Sequence, residues 1–260
     1  MKQLLFSLVL LVMLLPAQNG CASAESNDRV GPDDLVRPEI VRTIPHDPQA
    51  FTQGLVYASG KLYESTGLIG RSSLRRIDPK NGTIERLMPL DGIFAEGLAL
   101  MDDRLVVLSL HSRRALVFSR QEFTHLAVHA YQGEGWGLAT DDATFYMSNG
   151  TDTLYQRNKN FEIIRTVSVR WNGKHLSRIN ELEYADGKLY ANVWSSDYIF
   201  VIDPQSGTVT RVIDGTPLIR AVAPRDERDV LNGIAYDPVA RTFYLTGKNW
   251  PLMFEVRIPE

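Results

Sequence analysis

From residue 39 onward, short apolar stretches alternate with turn-forming clusters, and the spacing of apolar positions predicts strands rather than helices. A turn such as Ala58-Ser59-Gly60, Asp102-Asp103, Asp141-Asp142 or Asp186-Gly187 leads each time into a strand carrying Leu62-Tyr63, Leu105-Val106, Phe145-Tyr146 or Leu189-Tyr190; Phe243-Tyr244 holds the same place later in the chain. A further strand is clearest in residues 74–78 and 199–203. These end in Asp78-Pro79-Lys80-Asn81-Gly82 and Asp203-Pro204-Gln205-Ser206-Gly207, both strong turn signals. Residues 84–88, 163–169 and 209–213 read as the strand that closes each unit. Apolar positions nowhere repeat at helical spacing over three turns, so the expected fold class is all-β.

These strands belong to a repeat. Gln53-Gly54-Leu55, Glu96-Gly97-Leu98, Trp136-Gly137-Leu138, Asn180-Glu181-Leu182 and Asn232-Gly233-Ile234 each open a unit, and their middle residues lie 43, 40, 44 and 52 apart. A period of that size with strand patterning predicts the blades of a propeller, here five. Residues 39–45 look like a fourth strand without a blade of its own, while the last unit holds only three. The N-terminal strand is therefore expected to complete the final blade of a domain spanning 39–260. The longest interval contains an insertion over 217–229, read as a surface loop or a short helical turn.

The first residues differ. Lys2, the apolar run from Leu4 to Leu15 and Ala22-Ser23-Ala24 have the order of a secretory signal peptide, expected to span 1–24 and to be followed by a linker over 25–38. A secreted or periplasmic protein is the expectation; lipid attachment at Cys21 would instead give an anchored one. Cys21 is the sole cysteine, which excludes an intramolecular disulfide and a cysteine-based zinc site. No later segment is long and apolar enough to span a membrane. With 28 basic and 31 acidic side chains the net charge is −3, which argues against a nucleic-acid partner and nominates no protein partner; a monomer is expected.

Equivalent positions of the blades lie at one height around the central channel. The opening residues of the triplets therefore form a ring: Gln53, Glu96, Trp136, Asn180 and Asn232. In an antiparallel hairpin the start of one strand lies beside the end of the next. Counting along the hairpins gives a second ring at the same mouth: Gly67, Leu110, Gly150, Trp194 and Lys248. One carboxylate, one ammonium, three amides and two indoles thus converge on one opening. Glu96, beside Phe94, is expected to be desolvated, with a raised pKa suited to proton transfer near neutrality. Phe94, Trp136 and Trp194 could wrap an apolar stem or an amine. Asn232 is grouped with these binding positions, although taken alone it also reads as a turn residue capping a strand end.

At these residues the chain resembles the plant and bacterial glutaminyl-peptide cyclotransferases. The resemblance is carried by Phe51-Thr52-Gln53-Gly54-Leu55, Ser65-Thr66-Gly67-Leu68, Ser73-Leu74-Arg75, Phe94-Ala95-Glu96-Gly97-Leu98 and Gly135-Trp136-Gly137-Leu138. It continues through Ile179-Asn180-Glu181-Leu182-Glu183, Ala191-Asn192-Val193-Trp194, Leu231-Asn232-Gly233-Ile234-Ala235 and Thr246-Gly247-Lys248-Asn249-Trp250-Pro251. It implies a five-bladed propeller that converts N-terminal glutamine of peptides and proteins to pyroglutamate with loss of ammonia. It also implies that no metal or other cofactor is needed, unlike the zinc-dependent animal type. The family's catalytic glutamate falls on Glu96, its polar partners on Gln53, Asn180 and Lys248, and its aromatic pocket on Phe94, Trp136 and Trp194. Leu110, followed by His111, stands where the family usually has tryptophan, and Asn149 where aspartate is usual. Two other classes fit a propeller: a calcium-dependent lactone or ester hydrolase, against which Lys248 at the mouth would repel the cation, and a non-catalytic binding module.

Overall fold

The structure, a computed structural model, describes residues 35–259. The expected signal peptide, with Cys21, and most of the expected linker lie outside the described residues. The rest forms a five-bladed β-propeller. Blade one runs from the channel outward as Thr52–Ala58, Lys61–Thr66, Ser73–Ile77 and Ile84–Pro89, blade two as Ala95–Met101, Arg104–Ser109, Arg114–Ser119 and His125–Ala130. Blade three is Leu138–Thr140, Phe145–Met147, Thr153–Arg157 and Ile163–Ser168; blade four is Ile179–Ala185, Lys188–Val193, Tyr198–Ile202 and Val209–Asp214. The fifth sheet takes Leu231–Asp237, Thr242–Gly247 and Leu252–Arg257 from one end of the domain and its outer strand, Glu39–Pro45, from the other, paired antiparallel from Glu39 opposite Arg257 to Pro45 opposite Leu252. The innermost strand of every blade is the first of its repeat, and these five neighbour one another in order around the channel.

A strand buried on both faces reads as a continuous apolar run, and a half-exposed one as an alternation. Leu231–Asp237 is buried throughout, whereas outer strand Ile84–Pro89 alternates between part-buried and exposed. The apolar faces meet in five clusters, one at each blade junction. Leu98 and Leu105 pack with Val56 and Tyr63 between blades one and two, and Ile234 and Leu245 with Ile199 and Val201 between blades four and five. The central channel therefore sits inside a ring of separate small cores.

Two features were not legible in the chain, while a third, the helix of the insertion, takes the second of the two forms read for it. Leu35–Val36, within the stretch read as linker, runs parallel to the outer strand of blade four, with Leu35 opposite Val212. Arg170–Trp171 and Lys174–His175 form a small hairpin between blades three and four. The insertion holds one helix, Thr216–Val222, with proline in its first turn, where the missing N–H costs nothing, and Leu218 buried beneath it. Among the described residues no helix is long and apolar enough to cross a membrane.

Candidate active site

Four of the five triplets that mark the repeat are β-bulges. In four blades the pairing of the first hairpin slips at the triplet: between Thr52 and Gly54, Ala95 and Leu98, Ile179 and Leu182, and Leu231 and Ile234. A bulge leaves residues unpaired and re-aims their side chains; here Gln53, Glu96, Asn180 and Asn232 are among them. The glycine that follows answers to packing. A Cβ on Gly54 or Gly97 would collide with the backbone nitrogen of the next blade's Leu98 or Leu138, and one on Gly137 with the Asn180 carbonyl. Blade four alone carries a side chain there, Glu181. Its buried carboxylate accepts the Leu55 N–H at 3.3 Å on one oxygen and the Ile234 N–H at 3.0 Å on the other. One side chain thus ties blades four, one and five together.

Each blade junction is closed at this level by a hydrogen bond to the site strands. Ser65 Oγ donates to the Glu96 carbonyl at 2.6 Å, and the Gly97 N–H to the Trp136 carbonyl at 2.7 Å. Ser148 Oγ donates to the Asn180 carbonyl at 2.6 Å, the Gly233 N–H to Asn192 Oδ1 at 3.0 Å, and Asn232 Nδ2 to the Thr52 carbonyl at 2.9 Å. The ring residues are therefore held by the closure of the propeller itself.

The second ring follows the counted register in four blades, where the N–H groups of Gly67, Leu110, Trp194 and Lys248 bond the carbonyls of Phe51, Phe94, Arg178 and Val230 at 2.8–2.9 Å. Blade three departs from it. Its first hairpin is short, and Gly150 bonds Ile179 of the next blade instead. Gly150 has φ +79°, and a Cβ there would enter the Trp136 indole. The break in the hairpin thus makes room for that ring. Gly67 gives the same service to Phe94. Lys248 is fixed from behind: Gly247 packs against the Trp250 indole, whose N–H reaches the Asp229 carbonyl at 2.8 Å, and the Asn249 N–H bonds the Ala50 carbonyl at 2.7 Å.

Gln53, Glu96, Asn180, Lys248, Phe94, Trp136 and Trp194 all line one cavity of about 230 Å³. Gln53 Nε2 donates to Glu96 Oε1 at 2.9 Å. Asn232 is wholly buried and lies behind this wall; it accepts the Asn180 Nδ2 hydrogen bond at 2.9 Å and sits 3.5 Å from Gln53 Oε1. Trp136 and Trp194 meet at 5.4 Å between ring centroids, and Lys248 Nζ lies 5.2 Å from the Trp194 centroid and 4.8 Å from that of Phe51. Such faces attract an ammonium. Burial pushes the Glu96 carboxyl well above the usual carboxylate range; the Lys248 charge opposes this and the Glu134 charge adds to it. Burial also brings the Lys248 ammonium down to about 8, against the pull of Glu96. A buried acid and a buried base, both drawn toward neutrality, face one aromatic chamber.

The family model for glutamine cyclotransferase matches residues 10–258. The chain belongs to the glutamine cyclotransferase family. It is 37% identical over 228 residues to a glutaminyl-peptide cyclotransferase of Arabidopsis thaliana, a match that covers 85% of this chain and 71% of that protein. The crystal structure of Myxococcus xanthus glutaminyl cyclase matches it with a TM-score of 0.81 at 38% identity, over 87% of this chain and 100% of that one.

This cyclotransferase-family cavity has further walls that ring counting passed over: Phe51, Leu68, Glu134, Arg228 and Val230. Three of them share a signal with Phe94. Phe51, Phe94, Glu134 and Val230 each stand two residues before a ring position, and all four line the cavity. Phe51 also packs edge-on to Phe94, 6.2 Å between centroids.

Proposed function

We propose that this cavity cyclises the N-terminal glutamine of peptides and proteins to pyroglutamate, releasing ammonia. The observation that carries it is a buried carboxylate and a buried ammonium facing one small aromatic cavity in a chain of the glutamine cyclotransferase family.

The reaction is intramolecular, so the protein's task is to hold a folded conformer and move one proton. The α-amine nitrogen attacks the side-chain amide carbon, and the ionised Glu96 carboxylate takes the proton this nitrogen sheds. Glu96 then gives that proton to the departing amide nitrogen, the C–N bond breaks, ammonia leaves and the carboxylate is restored. A raised pKa suits both halves of this cycle near neutral pH. Lys248, Asn180 and Gln53 are assigned to the amide oxygen as it gains charge. Asn232 serves by positioning Asn180 and Gln53. Phe94, Trp136 and Trp194 hold the glutaminyl head. No step calls on a metal.

The test is ammonia release from a glutaminyl dipeptide with and without a strong chelator. Release unchanged by the chelator is expected, and chelator-sensitive turnover of esters or lactones in its place would overturn the assignment. Turnover should also report Lys248. Burial brings its ammonium down to about 8 in the free protein, so kcat/KM is expected to fall above about that pH. A kcat/KM that stays level to pH 10 would remove Lys248 from the role of charged donor.

A further inference from the structure

Glu134 is one of the cavity's carboxylates, yet the reaction above gives it no part. It occupies the position two before the ring residue of blade three, where blades one and two carry Phe51 and Phe94. Its Oε2 accepts the Trp136 indole N–H at 3.0 Å. An indole N–H can only donate, and a carboxylate is the stronger kind of acceptor for it. Both residues belong to a stretch, 132–137, that forms no strand; the Trp136 backbone is held by its N–H bond to the Ser148 carbonyl at 3.0 Å, and the Glu134 carboxylate adds a hold on the indole itself. The Trp136 ring packs against Gly150 and meets Trp194, and Trp194 faces Lys248. A carboxylate, two indoles and an ammonium are thus linked by successive contacts in the cavity lining.

We infer that Glu134 is a positioning residue of this site, which holds the Trp136 indole over the cavity and lends the mouth a negative charge that Glu96 feels. This role rests on the cyclotransferase activity proposed above. The charged groups around Glu134 are few. His111 Nδ1 lies 4.0 Å from its Oε1, and Glu96 and Lys248 share the cavity. Arg228 also lines it, but its guanidinium is bonded twice to Asp226, at 2.9 and 3.0 Å. The Glu134 charge adds to the burial that raises the Glu96 carboxyl, and Lys248 opposes both. Glu134 therefore acts through two separable properties, a hydrogen bond that orients a ring and a charge that moves the working pH of its neighbour.

Two substitutions separate them. Glu134→Gln keeps an acceptor oxygen and removes the charge; Glu134→Ala removes both. The side chain is half exposed, 52%, so both variants are expected to fold, and melting temperatures check this. Ammonia release from a glutaminyl dipeptide is followed against pH and substrate concentration. In both variants the acid limb of kcat is expected to move to lower pH, because Glu96 ionises more readily without a like charge nearby. KM should rise about fivefold in Glu134→Ala only, the scale of one hydrogen bond's net worth. An acid limb that stays in place in both variants, or a KM that rises equally in both, overturns the role of Glu134. A wild-type protein that releases no ammonia from any glutaminyl peptide overturns the cyclotransferase assignment itself, so the two failures are distinct.

Discussion

Glu96→Gln is expected to lower kcat for ammonia release by about 10³-fold, within the range general acid–base catalysis supplies. The substitution keeps the shape of the side chain and leaves an oxygen to accept the Gln53 hydrogen bond that Glu96 Oε1 accepts at 2.9 Å. What it removes is the capacity to take a proton from the attacking nitrogen and return it to the leaving one. An amide does neither at any pH near neutrality. KM should change little, since Phe94, Trp136 and Trp194 still line the cavity. Stability should hold or rise, because a buried ionisable group whose charged form is disfavoured by burial has been replaced by a neutral one. Steady-state kinetics beside a thermal melt makes the check. A variant with turnover within tenfold of wild type would show that another group moves the proton.

Glu181→Ala is expected to cost about 3 kcal/mol of stability, which lowers Tm by about 10 °C for a domain of this size. The reason lies in the channel rather than in chemistry. Glu181 is buried and accepts two backbone N–H groups from two other blades, so its loss strands the Leu55 and Ile234 donors without partners. Burial raises its carboxyl well above the usual range, with the charge of Glu183 adding to the effect. Glu181→Gln should fall between Ala and wild type, because its amide offers one accepting oxygen and turns its N–H₂ toward a donor. Glu181→Gly restores the residue type of the other four blades but leaves the channel unfilled, so it should melt no higher than the alanine variant. A melt of Glu181→Ala within a degree of wild type would deny that the carboxylate ties the blades together.

Much of the site could be read before any coordinate. Gln53, Glu96 and Asn180 came from one position in a repeat, and Trp194 and Lys248 from its hairpin partner. Each of these lines the cavity. Counting succeeds here because equivalent residues of a closed, repeated sheet share a height. It fails where a blade departs from the repeat. Gly150 turns to the next blade because Trp136 needs its space. Phe51, Glu134 and Val230 were missed although each stands, like Phe94, two residues before a ring position. Arg228 enters from the insertion, where no second copy exists for comparison. Asn232 had two readings from its residue type alone; its hydrogen bonds to Asn180 and Thr52 show a buried connector behind the wall.

The amino-acid pattern by itself determined the all-β class, the number of repeats and most of the positions that face the channel, and the motifs at those positions carried the resemblance to the family. The class and the repeat depend on local alternation or on the repetition of a unit, and both are written along the chain. Only the tertiary structure decided that Glu181 bridges three blades, that the triplets of four blades are bulges, and that Lys248 is buried deeply enough to bring its ammonium down to about 8. Those properties arise between segments far apart in the sequence, from how closely blade faces approach and how much water they exclude. Burial of a charge is a property of everything around it, and no single repeat contains that information.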